Sequence, residues 1–478
     1  MTLELTRRSA LAGIGALSAV STTSLKAMRN SKKRPNIVFL LADDMGFADI
    51  SRNGRPDMQT PHIDSIAQTG VNLLQAYANS AVCSATRCAL ATGRYQYRYR
   101  IGLEEPLAGR DGEVIGLPPS APTLPSMLKK AGYQTMLIGK WHLGSLPKFG
   151  PLQSGYDHFF GFRSGAVDYF SHKATGNRPD LWDDDVPVEK NGYLTEMIGN
   201  EAVKAIDTFA KISSPFMLSV HFNAPHWPWE GPNDEAESQR IAPTGNFRHL
   251  DGGSQATYRE MIKSLDDQVG RILAELARQG LTDDTIVIFT SDNGGERFAQ
   301  TWPFSGQKTE LLEGGLRVPA LVKWPGVLPA GAINQQVMIT MDWVPTLLDA
   351  AGAKADPTSP LDGINLLPVL TDKTPPVTRE LFWRYKANHQ RAMREGEMKY
   401  LKIGPNEYLF NVVADPLERA NLKERQPELF AEMRAKWRTW NRQMLPELDE
   451  TFTEGVLAKN QADHIGAEKT DKTADTGD

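Results

Sequence analysis

Asn36-Ile37-Val38-Phe39-Leu40-Leu41-Ala42-Asp43-Asp44-Met45-Gly46 is an apolar run that stops at two adjacent carboxylates. A short β-rich run without polar alternation reads as a strand buried on both faces, which is the habit of parallel sheets. Three other stretches repeat the plan. Residues 135–138 run into Gly139-Lys140-Trp141-His142, 216–220 into His221-Phe222-Asn223-Ala224-Pro225-His226, and 285–289 into Thr290-Ser291-Asp292-Asn293-Gly294-Gly295. In open α/β sheets the groups that act on ligands gather at the carboxyl ends of such strands. Two carboxylate-rich ends, one Lys-x-His end and one His end are therefore expected to converge on one crevice, the rim of an active site.

Around that core, the 478 residues suit one large α/β domain plus a smaller one. With 40% hydrophobic and 23% charged residues, the composition is that of a globular protein. A formal net charge of −5 gives no basis for a nucleic-acid-binding face. An anionic substrate must then be held by a local pocket of cations. Thr6-Arg7-Arg8-Ser9-Ala10-Leu11 precedes a mild apolar stretch, and small residues continue to Ala27. Residues 1–27 resemble a bacterial Tat export signal, with an amphipathic N-terminal helix as the alternative. The apolar stretch is too short to span a bilayer, and no Cys stands near it to carry a lipid anchor. The expected location is periplasmic or secreted, with the Tat translocase as a transient partner. Cys83 and Cys88 are the only cysteines, so no disulfide framework is in use, and helical geometry would strain a bridge between them.

The spacing of apolar and capping residues predicts helices after Thr60, from Cys83, over 123–131, 193–209, 258–279 and 341–351. Residues 143–190, rich in Gly, Pro, Asp and aromatics, read as long loops over the site. The main domain is expected over 34–371. Short strands near 381–383, 398–403 and 408–410, then a helix from about Pro427, predict a smaller C-terminal α+β subdomain over 377–450. The charged and small residues of 451–478 read as a disordered tail.

Cys83-Ser84-Ala85-Thr86-Arg87, followed by Cys88-Ala89-Leu90-Ala91-Thr92-Gly93-Arg94, is the most specific segment. It resembles the signature of the type I sulfatases, in which Cys-x-Pro/Ala-x-Arg precedes a helix carrying Leu-x-Thr-Gly-Arg. Taken alone, the match is weak, and a buried structural Cys at a helix start is the better reading of it. Other segments agree in order along the chain: the Asp43-Asp44 strand end, Gly139-Lys140-Trp141-His142, Ala224-Pro225-His226-Trp227-Pro228, Ser291-Asp292-Asn293-Gly294, Lys308 ahead of Glu313-Gly314-Gly315, and a closing hairpin at Leu409-Phe410-Asn411 with Asp415-Pro416-Leu417-Glu418. The resemblance covers residues 35–422. It implies a large, mostly parallel, alkaline-phosphatase-like sheet flanked by helices. It also implies conversion of Cys83 to formylglycine (3-oxoalanine) by a maturation enzyme, and a Ca²⁺ ion held by Asp43, Asp44, Asp292, Asn293 and the modified Cys83.

Elementary chemistry fits those assignments. Asp43, Asp44, Asp292 and Asn293 offer only hard oxygen donors, which suit Ca²⁺ and argue against zinc. The alternative for each pair is a cap or turn after a strand. Cleaving a sulfate monoester needs cations aimed at the sulfate oxygens, and Arg87, Lys140 and Lys308 are the candidates. Arg87 stands one helical turn beyond Cys83, so both can face one point. The resemblance assigns attack on sulfur to one hydroxyl of the hydrated aldehyde, and expulsion of sulfate to the second, which restores the aldehyde. By the same resemblance Asp292 helps deprotonate the attacking hydroxyl and His142 takes the second proton, while His226, with Lys308, protonates the leaving oxygen. His389 is placed where related enzymes lean over the site, and the other histidines read as structural. The chain departs from the pattern at Ala85, where proline is more frequent, and at Glu310, where a small residue is common. Trp182, Trp227, Trp229 and Trp302 either stack on sugar rings or pack the loops.

The expected activity is hydrolysis of a carbohydrate sulfate ester, with aryl sulfates as artificial substrates. A phosphate or phosphonate ester hydrolase of the same fold is the nearest rival. A noncatalytic sulfated-glycan binder, should Cys83 stay a thiol, and a Cys83/Cys88 redox protein stand behind it.

Overall fold

The computed structural model describes residues 34–108, 114–455 and 461–462. The expected export signal, residues 456–460 and the last part of the expected tail lie outside the described residues.

All four apolar runs are strands. In chain order the main sheet contains β1 (Asn36–Ala42), β2 (Val71–Leu73), β3 (Gln134–Lys140), β4 (His158–Phe162), β5 (Trp182–Asp183), β6 (Val186–Pro187), β7 (Phe216–His221), β8 (Thr285–Ser291), β9 (Ala320–Lys323) and β10 (Ala332–Asn334). They lie side by side in the order β10-β2-β9-β8-β1-β7-β3-β4-β5-β6. The five central strands, β8 to β4, are mutually parallel, and antiparallel strands flank them on both sides. Every residue of β1, β7 and β8 is buried. Register matters more than strand length for the site. Ala42 pairs with Ser291, Leu41 with His221, and His221 with Gly139, so the polar segments that follow these strands leave the sheet at one level.

The period-2 alternation of a strand sends successive side chains to opposite faces, and both faces here are covered. Val38, Leu40, Leu218, Val220, Val287 and Phe289 pack beneath α1 (Pro61–Gln68), α4 (Leu194–Phe209) and α5 (Gln255–Arg278). Ile37, Phe39, Leu41, Met217, Ile286 and Ile288 pack beneath α3 (Leu124–Lys130) and α6 (Trp343–Ala350). Burial of one such side chain contributes about 1.5–3 kcal/mol, so the continuous apolar runs fix a two-faced core. The helix that carries Cys83, α2 (Cys83–Thr92), is buried almost throughout and ends at Gly93, whose φ of 68° is the left-handed stop that favours glycine.

Beyond the main domain, β11 (Glu380–Tyr385), β12 (Gln390–Glu395), β13 (Met398–Ile403) and β14 (Asn406–Asn411) form an antiparallel meander. The last helix, α7 (Pro427–Asn441), lays Met433, Trp437 and Trp440 on it. The same core cluster includes Val82, Ala85 and Ala89, so this subdomain packs directly against the Cys83 helix. A buried polar joint adds to the contact, with the Lys399 ammonium 3.0 Å from Glu313 and 2.9 Å from Glu418.

Two expectations need correction. Residues 143–190 are not all loop, because β4 extends the parallel sheet beyond β3 and β5–β6 form its edge. The stretch expected to be a loose tail also begins in contact with the body. Phe452 N–H donates to the Glu104 carboxylate at 2.9 Å, and Glu454 N–H to the Glu105 carbonyl at 2.7 Å. Charged, small residues hide this strap because its bonds are made through the backbone rather than through apolar side chains.

Candidate active site

The first two components grow from the ends of β1 and β8. Asp44 N–H donates to Asp292 Oδ1 at 3.3 Å, Asn293 Nδ2 donates to Asp44 Oδ1 at 2.8 Å, and Met45 N–H donates to Ser291 Oγ at 3.0 Å. Asp44 is held at φ 64°, a left-handed conformation that Asp tolerates better than most residues. The two turns therefore brace each other. They are more than caps, because Asp43 Oδ1 and Asn293 Oδ1 are buried with no hydrogen-bond partner among the described residues.

The third component is the start of α2. Cys83 Sγ lies 3.3 Å from His142 Nδ1. Ligand atoms of Asp43, Cys83 and Asp292 fall within 4.8 Å of one another, as do those of Asp43, Asp44 and His226. Arg87, one turn along, places Nε and Nη2 each 2.9 Å from Asp292 Oδ2 and donates through Nη1 to the Lys140 carbonyl at 3.1 Å. Lys140 Nζ, from the end of β3, donates to Asp43 Oδ2 at 2.6 Å. Lys308 Nζ donates to Asp44 Oδ2, also at 2.6 Å. Lys308 is 5% exposed, so its ammonium is not a solvated surface charge.

Hydrogen bonds fix the imidazoles. A carbonyl cannot donate, so His142 Nε2, 3.0 Å from the Leu107 carbonyl, carries a proton and leaves Nδ1 to accept from the Cys83 thiol. By the same logic His226 Nδ1 donates to the Trp227 carbonyl at 2.6 Å, and Nε2 faces Asp44 Oδ2 at 3.5 Å.

Burial dominates the electrostatics. It pushes the Asp43 carboxyl well above its ordinary range, with Lys140 and Arg87 offsetting part of the effect and Asp292 and Asp44 adding to it. Burial works against ionisation of Asp44 too, but Lys308, His226 and Lys140 overcome it and hold that carboxyl well below the usual range. The Cys83 thiol is pushed up to about 11 by burial, and Cys88 to about 12. Both are buried free thiols, so the pair has neither the access nor the thiolate character that a redox couple needs. Burial also holds His142 and His226 well below the ordinary imidazole value, Lys140 adding to it at the first and Lys308 at the second.

Three carboxylates and one amide, with Asp43 Oδ1 and Asn293 Oδ1 buried and without a hydrogen-bond partner among the described residues, fit a hard divalent cation, whose charge would relieve the crowding around Asp43. All the residues read from the sequence, Asp43, Asp44, Cys83, Arg87, Lys140, His142, His226, Asp292, Asn293 and Lys308, are buried and bear on this one hollow.

Several neighbours were not singled out beforehand. Glu296 faces Lys308 at 3.9 Å, and burial, with Lys308 opposing, pushes its carboxyl up to about 7. Trp227, Arg248, Arg297, Glu454 and Lys308 line a cleft beside the hollow. Glu296 and Arg297 follow the Asp292-Asn293-Gly294-Gly295 segment immediately, which is the one sequence signal that could have found them. Trp229 is 2% exposed beneath Arg297, so it packs its loop, whereas Trp227 lines the cleft and Trp302 is 63% exposed. His389 sits in the turn Ala387–His389, and its neighbour Gln390 donates to the Thr309 carbonyl, in the Lys308 loop, at 2.9 Å. Glu310 accepts from Gln307 N–H at 3.0 Å, within the turn around Lys308.

A cation-lined, carboxylate-walled hollow at the ends of parallel strands defines a hydrolase of anionic esters on an alkaline-phosphatase-like fold. The chain belongs to the sulfatase family, as an arylsulfatase-like sulfuric ester hydrolase: the family model described as Sulfatase matches residues 35–353, and that of the N-sulphoglucosamine sulphohydrolase C-terminal region matches 306–443. Among curated relatives, the N-acetylgalactosamine-6-sulfatase of Mus musculus is 34% identical over 387 residues, covering 76% of this chain and 71% of the relative. Arylsulfatase J of the same organism is 28% identical, covering 90% and 80%. Among solved structures, that of Ps i-CgsB superposes with a TM-score of 0.79 at 29% identity, covering 90% of this chain and 97% of its own. It has also been solved with k-i-k-neocarrahexaose. No helix among the described residues is long and apolar enough to cross a membrane.

Proposed function

We propose that this sulfatase hydrolyses sulfate monoesters of a sulfated carbohydrate, using formylglycine made from Cys83 and Ca²⁺ held by Asp43, Asp44, Asp292 and Asn293. One observation carries the proposal. Cys83 Sγ shares a buried hollow with Asp43 and Asp292, their ligand atoms within 4.8 Å, at the start of a helix whose Arg87 is clamped to Asp292. The relative named for N-acetylgalactosamine 6-sulfate and the neighbour solved with a neocarrahexaose support a sulfated sugar as substrate.

The hydrated aldehyde would supply the nucleophilic hydroxyl, and the cation a Lewis acid for a sulfate oxygen. The chain's own groups do the rest. Arg87, Lys140 and Lys308 bring positive charge to the sulfate oxygens from buried positions, where it is worth more than in bulk water. Asp292 is near enough to Cys83 to accept the proton of the attacking hydroxyl. His142, held neutral with Nδ1 turned to residue 83, accepts the proton of the second hydroxyl. The Lys308 ammonium, kept protonated beside Asp44, is the proton source for the leaving oxygen, with His226 Nε2, unprotonated at rest and facing the hollow beside it, as the relay. The twin arginines Arg7-Arg8 support export in the folded state, after a maturation enzyme has acted on Cys83.

The test is sulfate release from a panel of sulfated mono- and oligosaccharides, with and without chelator. Turnover on at least one, lost with chelator and reduced about 10²–10³-fold or more in Asp43→Ala, is expected. A large preference for matched aryl phosphates over aryl sulfates would overturn the reading.

A further inference from the structure

The cleft beside Lys308 has an excess of positive charge that the hollow does not use. Its walls bring together Arg248, Arg297 and Lys308 with Glu296 and Glu454. Most of this charge is spoken for: Lys308 is bonded to Asp44 at 2.6 Å and faces Glu296 at 3.9 Å, and Arg248 pairs with Glu454 at 3.0 Å. Arg297 has no ion-pair partner among the described residues. It is half-buried, with its guanidinium 4.1 Å over the Trp229 ring and Nη1 donating to the His249 carbonyl at 2.9 Å. A guanidinium held over an indole and tied to a backbone carbonyl loses little freedom on binding, and its planar fork can take carboxylates and sulfates in two-pronged fashion. Trp227, half-buried on the same wall, offers a ring to a sugar face.

We propose that this cleft is a leaving-group subsite that selects glycans carrying a second anionic group next to the scissile sulfate, with Arg297 as its principal specificity determinant and Arg248 as its partner. The proposal rests on the sulfatase reading above and names the substrate class within it. Arg248 is the adjustable half. Glu454, from the strap that pairs with Glu105, forms an ion pair with it at the surface. A ligand anion competes with that carboxylate, so the strap sets a threshold for binding.

Either a uronic-acid carboxylate or a second sulfate could supply the anion, and competition assays separate them. With 4-nitrophenyl sulfate as reporter, competitive inhibition constants are measured for N-acetylgalactosamine 6-sulfate, for the same sugar joined to glucuronic acid, and for its 4,6-disulfate. At least one doubly anionic competitor is expected to bind about tenfold or more tightly than the monosulfate, and the better one identifies the anion. R297Q should erase that advantage, while E454Q should enlarge it by freeing Arg248. No advantage in the wild type, or an advantage that survives in folded R297Q, overturns the proposal. If R297Q does not fold, the exposed R248Q decides: a threefold or greater fall in the advantage supports the subsite and a smaller one rejects it. A wild-type protein without aryl sulfate turnover fails the hydrolase reading instead, and calorimetric titration of the same saccharides then judges the subsite alone.

Discussion

Arg87 illustrates how tightly the site residues depend on one another. Its guanidinium lies 2.9 Å from Asp292, with both side chains almost wholly buried. Removing one partner of a buried pair leaves an uncompensated charge and costs roughly 3–5 kcal/mol. Arg87→Ala is therefore expected to lower the thermal unfolding midpoint by several degrees as well as to abolish sulfate release, and calorimetry beside the activity assay checks both. An unchanged midpoint would mean that the carboxylate finds another partner. At this scale the sequence is most legible for residues in short strings fused to strand ends, such as Asp43-Asp44, Lys140-Trp141-His142 and Asp292-Asn293, because chain continuity delivers them to one rim. Arg248 and Glu454 were illegible for the opposite reason. They meet across a separation of some two hundred residues, and neither carries a local pattern.

Among the elements, the β3–β7 seam controls where Lys140 points. Gly139 sits opposite His221 in β7 and Gly161 in β4, with φ 102°, and a Cβ there would lie 1.9 Å from the His221 carbonyl oxygen. No rotamer relieves a backbone clash of that size. Gly139→Ala is expected to part the strands and displace Lys140, and to yield insoluble protein or protein with sulfate release reduced more than about 10²-fold. Wild-type turnover in that variant would show that the seam does not set the site. The same crowding hid β4 from sequence reading. Where a central strand needs glycine and is bordered by Gly- and Pro-rich turns, composition mimics a loop. The four runs that lead into the site were easy to recognise because they are almost wholly apolar, Ser219 alone interrupting one of them.

For the whole molecule, buried carboxyls away from the hollow set the pH response. Burial pushes Glu105 up to about 8 and Glu230 up to about 9, against an ordinary value near 4.3 in an unfolded chain. Above that ordinary value the folded protein holds protons that the unfolded chain has released, so stability falls as pH rises, by about 1.4 kcal/mol per group per pH unit until the folded value is passed. His221 and His172, held below the ordinary imidazole value by burial, oppose this trend only below about 6.5. The thermal midpoint is thus expected to fall from pH 7 to pH 9, and Glu105→Gln to flatten the fall; a midpoint rising across that window would contradict the assignment. Glu105 also anchors the strap at residues 452–454, which ties this response to the rim of the cleft. Neither the strap nor the joint at Lys399 could be foreseen. Both are made of backbone pairs and buried charges joining distant segments, and hydrophobic periodicity carries no record of them.

The most direct test is a crystal structure of the mature protein grown with calcium. One ion bound by Asp43, Asp44, Asp292 and Asn293 at about 2.3–2.6 Å, with an oxygen-bearing side chain at residue 83 beside it, is the predicted result. A retained thiol at that position, or calcium bound only elsewhere, would contradict the account.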